Sequence, residues 1–191
     1  MKISLFNLTT ILLTLAAQSA PRLITGLTEP FSIIFDKAGT FYGVEYESGN
    51  RVFKFQDDKL TYIAGSKTPG GRELGDVAAG DGGPAKEARF NGMHDLTLHP
   101  DGRLFVADTF NRRIRVIDLK TNTISTLGGG KLRFESPYTV DLHPDGNYLV
   151  VADLDNRQVL EIDLKERRPL ILPRHASSDA QGEWMPIESG V

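Results

Sequence analysis

One passage of this chain occurs twice. His94-Asp95-Leu96-Thr97-Leu98-His99-Pro100-Asp101-Gly102 returns 44 residues later as Tyr138-Thr139-Val140-Asp141-Leu142-His143-Pro144-Asp145-Gly146. Both copies continue through an apolar run to Ala-Asp, at Ala107-Asp108 and Ala152-Asp153. Both then reach Asn111-Arg112 or Asn156-Arg157 and close on Ile-Asp-Leu-Lys, ending at Lys120 and Lys165. A weaker copy precedes them, from Phe31-Ser32-Ile33-Ile34-Phe35-Asp36 to Asn50-Arg51. The spacing from first copy to second is longer, and the surplus falls in a glycine-rich stretch over 67–90 that holds Gly80-Asp81-Gly82-Gly83-Pro84-Ala85. A fixed period of this length marks an architecture whose units bury their faces only against one another.

Each copy reads as four short strands. In the second, Leu96 to Leu98 alternates and stops at His99-Pro100-Asp101-Gly102, where proline presets φ and glycine accepts the positive φ of a tight turn. Leu104 to Ala107, Ile114 to Ile117 and Ile124 to Leu127 supply three more apolar runs, with Arg113 and Arg115 expected to alternate outward. Only Pro84 to Phe90 has the composition of a helical turn. Four antiparallel strands every 45 residues or so is the period of a β-propeller blade. The expected class is therefore all-β, a partial propeller of three blades over about 28–66, 91–130 and 131–172.

The runs from His99 to Ile114 and from Asp145 to Val159 resemble NHL repeats: an apolar strand, Ala-Asp, a short loop with Asn, then Arg-Ile. The third copy departs with Gln158-Val159 where Arg-Ile is expected. The Gly80 to Ala85 segment is similar to connections between such repeats in secreted bacterial proteins. The resemblance implies a propeller, most often six-bladed, used mainly as a binding or scaffolding surface. Three copies are fewer than a closed ring requires. The leading expectation is thus that the chain is part of a six-bladed ring in a longer product. An arc completed by a second copy and a compact non-propeller β fold are the alternatives.

Met1-Lys2, an apolar stretch through Ile11 to Ala17, and small residues at Ala17, Ser19 and Ala20 have the layout of a secretory signal over 1–20, cleaved after Ser19. The other reading of this stretch is an N-terminal core strand or helix. The run is too short to span a bilayer comfortably, so no transmembrane segment is expected. A secreted or periplasmic location follows. The absence of cysteine excludes disulfides, thiolate metal sites and a cysteine nucleophile. A formal charge of −3 is too balanced for a dedicated nucleic-acid binder. Residues 173–191 read as an irregular tail.

Strand order places the candidate site. The first strand of each copy starts at one end, called the top, and the loop after the second strand returns there. Phe31, His94 and Tyr138 should therefore surround the axial opening, with Asn111, Arg112, Asn156 and Arg157 on the same rim. Loops held by a rigid scaffold are where binding residues concentrate. Asp108 and Asp153 are read as structural loop acids that accept hydrogen bonds from their own loops or from a nearby arginine. His94-Asp95 has no counterpart in the other copies. Two adjacent ligands on a strand leave by opposite faces, so no metal site and no catalytic residue is assigned. Gly80 to Ala85 lacks the lysine of a phosphate-binding loop.

The favoured function is a secreted binding scaffold for a protein, glycan or small molecule, without a cofactor. Its other partners would be the remaining blades of a longer chain or a second copy. The alternative is a gluconolactonase-like hydrolase or a lyase of similar architecture, in which a divalent calcium or zinc ion polarises a carbonyl and activates water.

Overall fold

The turns and alternating apolar positions of each repeat resolve into four strands in the computed structural model, which describes residues 23–69, 79–130, 132–166 and 168–170. The expected leader over 1–20, the tail over 173–191 and residues 70–78 of the insertion lie outside the described residues. The first sheet holds β1 (Pro30–Phe35), β2 (Phe41–Glu45), β3 (Arg51–Gln56) and β4 (Lys59–Ala64). The second holds β5 (Met93–Leu98), β6 (Arg103–Asp108), β7 (Arg113–Asp118) and β8 (Thr123–Thr126). The third holds β9 (Pro137–Leu142), β10 (Tyr148–Asp153), β11 (Gln158–Asp163) and β12 (Arg168–Leu170). Every sheet is antiparallel in sequence order. First strands are neighbours, β1 beside β5 and β5 beside β9, so the sheets stack as blades with their first strands innermost.

Alternation explains the stacking. Along β6, Leu104 and Val106 join Tyr42, Val44, Val52, Leu96, Ile117 and Ile124 between the first two blades. Phe105 and Ala107, one step out of phase, join Ile114, Phe134, Val140, Leu149, Val151 and Ile162 between the second and third. Leu96 and Val140 occupy matching buried positions in β5 and β9. Burying one such side chain stabilises by about 1.5–3 kcal/mol. The two faces of the middle blade are therefore what joins the three sheets.

The end of the insertion fastens the first two blades edge to edge. The Gly82 amide donates to the Ile124 carbonyl at 2.8 Å and the Ile124 amide to Gly83 at 3.1 Å, extending the outer edge at β8. The Gly65 and Ser66 amides, just past β4, donate to Ala85 and Ala88. A single 3₁₀ turn, Ala85–Glu87, lies within the stretch expected to turn.

This segment also overturns one expectation. Arg115 does not face solvent; its side chain is fully buried. Its guanidinium donates to Asp81 at 2.7 Å and to the Ala79 and Arg89 carbonyls at 3.1 and 3.4 Å, and lies near the Phe90 ring. The insertion folds over that face of β7 and supplies the acceptors that make a buried charge tolerable. Asp81, its second oxygen taken by the Thr126 amide at 2.7 Å, is a structural acid here. Arg113 is buried as well.

Candidate functional site

Each first strand carries a β-bulge at the same place. Pro30 pairs Glu45 and Ser32 pairs Val44, so Phe31 is left over. Met93 pairs Asp108 and Asp95 pairs Ala107, leaving His94. Pro137 pairs Asp153 and Thr139 pairs Ala152, leaving Tyr138. A bulged residue is out of the ladder and its side chain is re-aimed. The strict alternation expected at His94-Asp95 is therefore interrupted, although the two side chains do part to different partners.

The three bulge residues meet at the top. His94 is in the middle, its ring 5.0 Å from Phe31 and 4.0 Å from Tyr138 between centroids. Two rings from the loops after β2 and β6 complete the cluster: Tyr46 at 4.9 Å and Phe110 at 5.8 Å. Phe31 and Tyr46 also touch each other, as do Tyr46 and Phe110. His94 is buried beneath this cluster, whereas Phe31 is 51% exposed. Phe110 reaches its place because Gly92, at φ +60°, leaves no Cβ under its ring; an added Cβ would come within 2.8 Å of Phe110 Cγ.

Polar groups lock the histidine. Thr109 Oγ1 lies 2.7 Å from the Pro137 carbonyl and 2.8 Å from His94 Nδ1. The hydroxyl has one proton, which goes to the carbonyl, so the network selects the tautomer in which Nδ1–H donates to Thr109. Burial holds the His94 pKa below its ordinary value, against weaker opposing effects from Gly92 and Asp95. Asp95 turns the other way and bridges the blades. Its Oδ1 accepts from the Ser32 hydroxyl of β1 at 2.7 Å, and its Oδ2 accepts from the Val140 amide of β9 at 3.0 Å.

The other rim residues serve their own loops. Asp108, fully buried, accepts from the Asn91 amide at 2.8 Å and from the Asn111 side-chain amide at 3.0 and 2.9 Å. Arg115 Nη1 is 3.7 Å from its Oδ2. Burial pushes its carboxyl above the usual carboxylate range, against Arg115 and these hydrogen bonds. Asp153 accepts from the Ser136 and Glu135 amides at 2.6 and 3.2 Å and from Asn156 at 2.6 Å. The backbone donors thus come from the connection entering the blade rather than from the aspartate's own loop, so each acid ties that connection to the end of the second strand. Arg112, in the left-handed region at φ +58°, pairs with Glu135 at 2.7 Å. Arg157 takes the same conformation and is exposed. Asn111 and Arg112 follow β6 and Asn156 and Arg157 follow β10, in the loops at the rim.

Sequence reasoning missed three participants. Glu45 does in the first blade what Asp108 and Asp153 do in theirs. It accepts from the Thr28 amide and the Tyr62 hydroxyl at 2.8 and 2.9 Å and pairs with Arg51 at 2.7 Å. Tyr46 and Phe110 were the other two; the available signal was an aromatic residue just past the acid that ends the second strand. Among the described residues, no group of three or more His, Asp or Glu side chains gathers as a metal site would require. No helix among them is long and apolar enough to cross a membrane.

No family model matches the chain. NHL repeat-containing protein 3 of Homo sapiens is 33% identical over 129 residues, 66% of this chain and 33% of that protein. NHL repeat-containing protein 2 of Homo sapiens is 32% identical over 89 residues, 40% of this chain and 12% of that protein. This chain therefore spans about a third or less of the length of these curated relatives. Among solved structures, one from a nidogen/laminin complex superposes with a TM-score of 0.56 at 17% identity, covering 76% of this chain and 47% of that one. A protein assigned as a gluconolactonase superposes with a TM-score of 0.51 at 15% identity, covering 69% and 44%. At such identities the superpositions speak for the fold alone. With these similarities beside this chain's own repeat spacing and its three stacked sheets, the repeats of this chain are NHL repeats, and they fold as blades of a β-propeller.

Proposed function

We propose that the top rim is a binding surface for a protein, glycan or small molecule, and that the blades beneath it are its scaffold, in a protein that acts outside the cytoplasm. The observation that carries this reading is the five-ring cluster. Phe31, His94 and Tyr138 come from three blades, and Tyr46 and Phe110 from two loops, yet all reach one end of the molecule, with Phe31 half-exposed. Aromatic side chains offer large contact area at low entropic cost, which suits them to interfaces. A solved structure of the same fold comes from a nidogen/laminin complex, so the fold is compatible with a protein partner.

The test is a screen of peptide and glycan arrays with the full chain and with Tyr138→Ala. Ligands retained by the parent and lost by the variant support the rim. Ligands held equally by both place binding elsewhere and refute it. Lactone hydrolysis that depends on added calcium or zinc would replace this reading with the enzymatic one. N-terminal sequencing of protein exported from an expressing cell tests the leader, and a mature chain starting at Ala20 is the expected result.

A further inference from the structure

Resting on that binding reading, we propose that the ring cluster receives an organic cation carried by a partner polypeptide, an arginine guanidinium or an N-methylated ammonium. Two independent features of the rim converge on this chemistry.

The first is the rings. Phe31, Tyr46, Phe110 and Tyr138 surround His94, with centroid distances of 4.0–5.8 Å. Aromatic faces carry the negative lobe of the ring quadrupole and attract cations within about 6 Å. The central imidazole does not oppose this, because burial keeps it neutral near neutral pH.

The second is the charge beside the rings. Glu29 and Glu47 flank Tyr46. The Tyr46 amide donates to the Glu29 carbonyl at 2.8 Å, the Ser48 amide donates to Glu29 Oε2 at 2.7 Å, and Glu47 is exposed. Both carboxylates act on the Tyr46 phenol, whose pKa is raised first by burial and then by Glu47, Tyr138 and Glu29. The rim arginine closest in sequence to Phe110, Arg112, is neutralised by Glu135 at 2.7 Å. The charges of Glu29 and Glu47 beside Tyr46 repel phosphate and attract a cation; a neutral sugar gains hydrogen bonds from such carboxylates but not this charge attraction.

The experiment titrates the full chain with tetramethylammonium chloride, followed by NMR at the cluster residues, with sodium chloride as the ionic-strength control. The neutral isostere 3,3-dimethyl-1-butanol is titrated in parallel. Saturable shifts at Tyr46, Phe110 and Tyr138 are expected with the cation. The isostere, Phe110→Leu and Glu47→Gln should each weaken binding roughly tenfold. Unchanged urea midpoints show that the variants are folded. Equal binding of the isostere, or no shift with the cation, overturns the proposal. If the cation fails while array ligands still require Tyr138, the rim stands and its ligand is of another class. If Tyr138 is dispensable as well, both readings fall.

Discussion

Replacing Asp95 tests whether one carboxylate couples three blades. In Asp95→Ala, the Ser32 hydroxyl and the Val140 amide lose their acceptors together. Val140 is 2% exposed, so its N–H has poor access to water. A buried unpaired donor costs about 1–3 kcal/mol. The serine hydroxyl rotates toward solvent and adds about 0.5–1 kcal/mol. The expected destabilisation is about 2–3 kcal/mol, which for a chain of this size lowers Tm by about 5–10 °C. Asp95→Asn separates hydrogen bonding from charge. Its carbonyl can still accept from Val140 while its amide donates to Ser32 Oγ, so its cost should stay under about 1 kcal/mol. Urea denaturation followed by far-UV circular dichroism gives the free energies, and hydrogen exchange at the Val140 amide reports the site directly. An alanine variant within about 0.5 kcal/mol of the parent refutes the bridge. An asparagine variant as damaged as the alanine one would mean that charge, not bonding, is what matters.

Three further outcomes follow from the same geometry. The unfolded chain takes up a proton at His94 near its ordinary pKa of about 6.5, while burial lowers the folded value. Stability from this group is therefore full above that pH and is lost as pH falls toward the lowered value. His94→Phe should show a shallower loss between pH 7.5 and 5, measured by urea midpoints, and an unchanged slope would contradict the assignment. Arg115→Met leaves Asp81 and Asp108 without their cation and should destabilise by about 3–5 kcal/mol in the same assay; a loss below about 1 kcal/mol would show the pairings to be dispensable. Gly92→Ala meets the Phe110 ring and a positive φ. It should displace that ring, seen as altered NMR shifts at Tyr46 and His94, at a stability cost of about 1–2 kcal/mol; unmoved shifts would refute the packing.

The blades were legible because their cues are local. Pro-Asp-Gly turns and period-two runs state where strands begin, end and face, and the 44-residue echo states how often. The ring cluster was legible in part, since strand order alone brings Phe31, His94 and Tyr138 to one end. The bulges were not, because an extra residue in a strand leaves the amino-acid pattern intact and appears only in the pairing with β2, β6 and β10. Arg115 misled because its environment is made by residues 79–90, outside the repeat; within the repeat it reads as an outward polar position. Glu45 escaped because one more methylene disguises the acid that Asp108 and Asp153 make obvious.

The bulges also bear on how such a rim can change over time. A residue inside a ladder is constrained by its cross-strand partners and by the face it must fill. The bulged position is released from both, because the strand resumes its register one step later. Phenylalanine, histidine and tyrosine occupy it in successive blades with the same pairing restored beyond. Each repeat thus offers one position, at one height above the axis, where chemistry can be exchanged with little effect on strand pairing. A duplicated blade would bring its own such position, and the rim could acquire a new preference one side chain at a time.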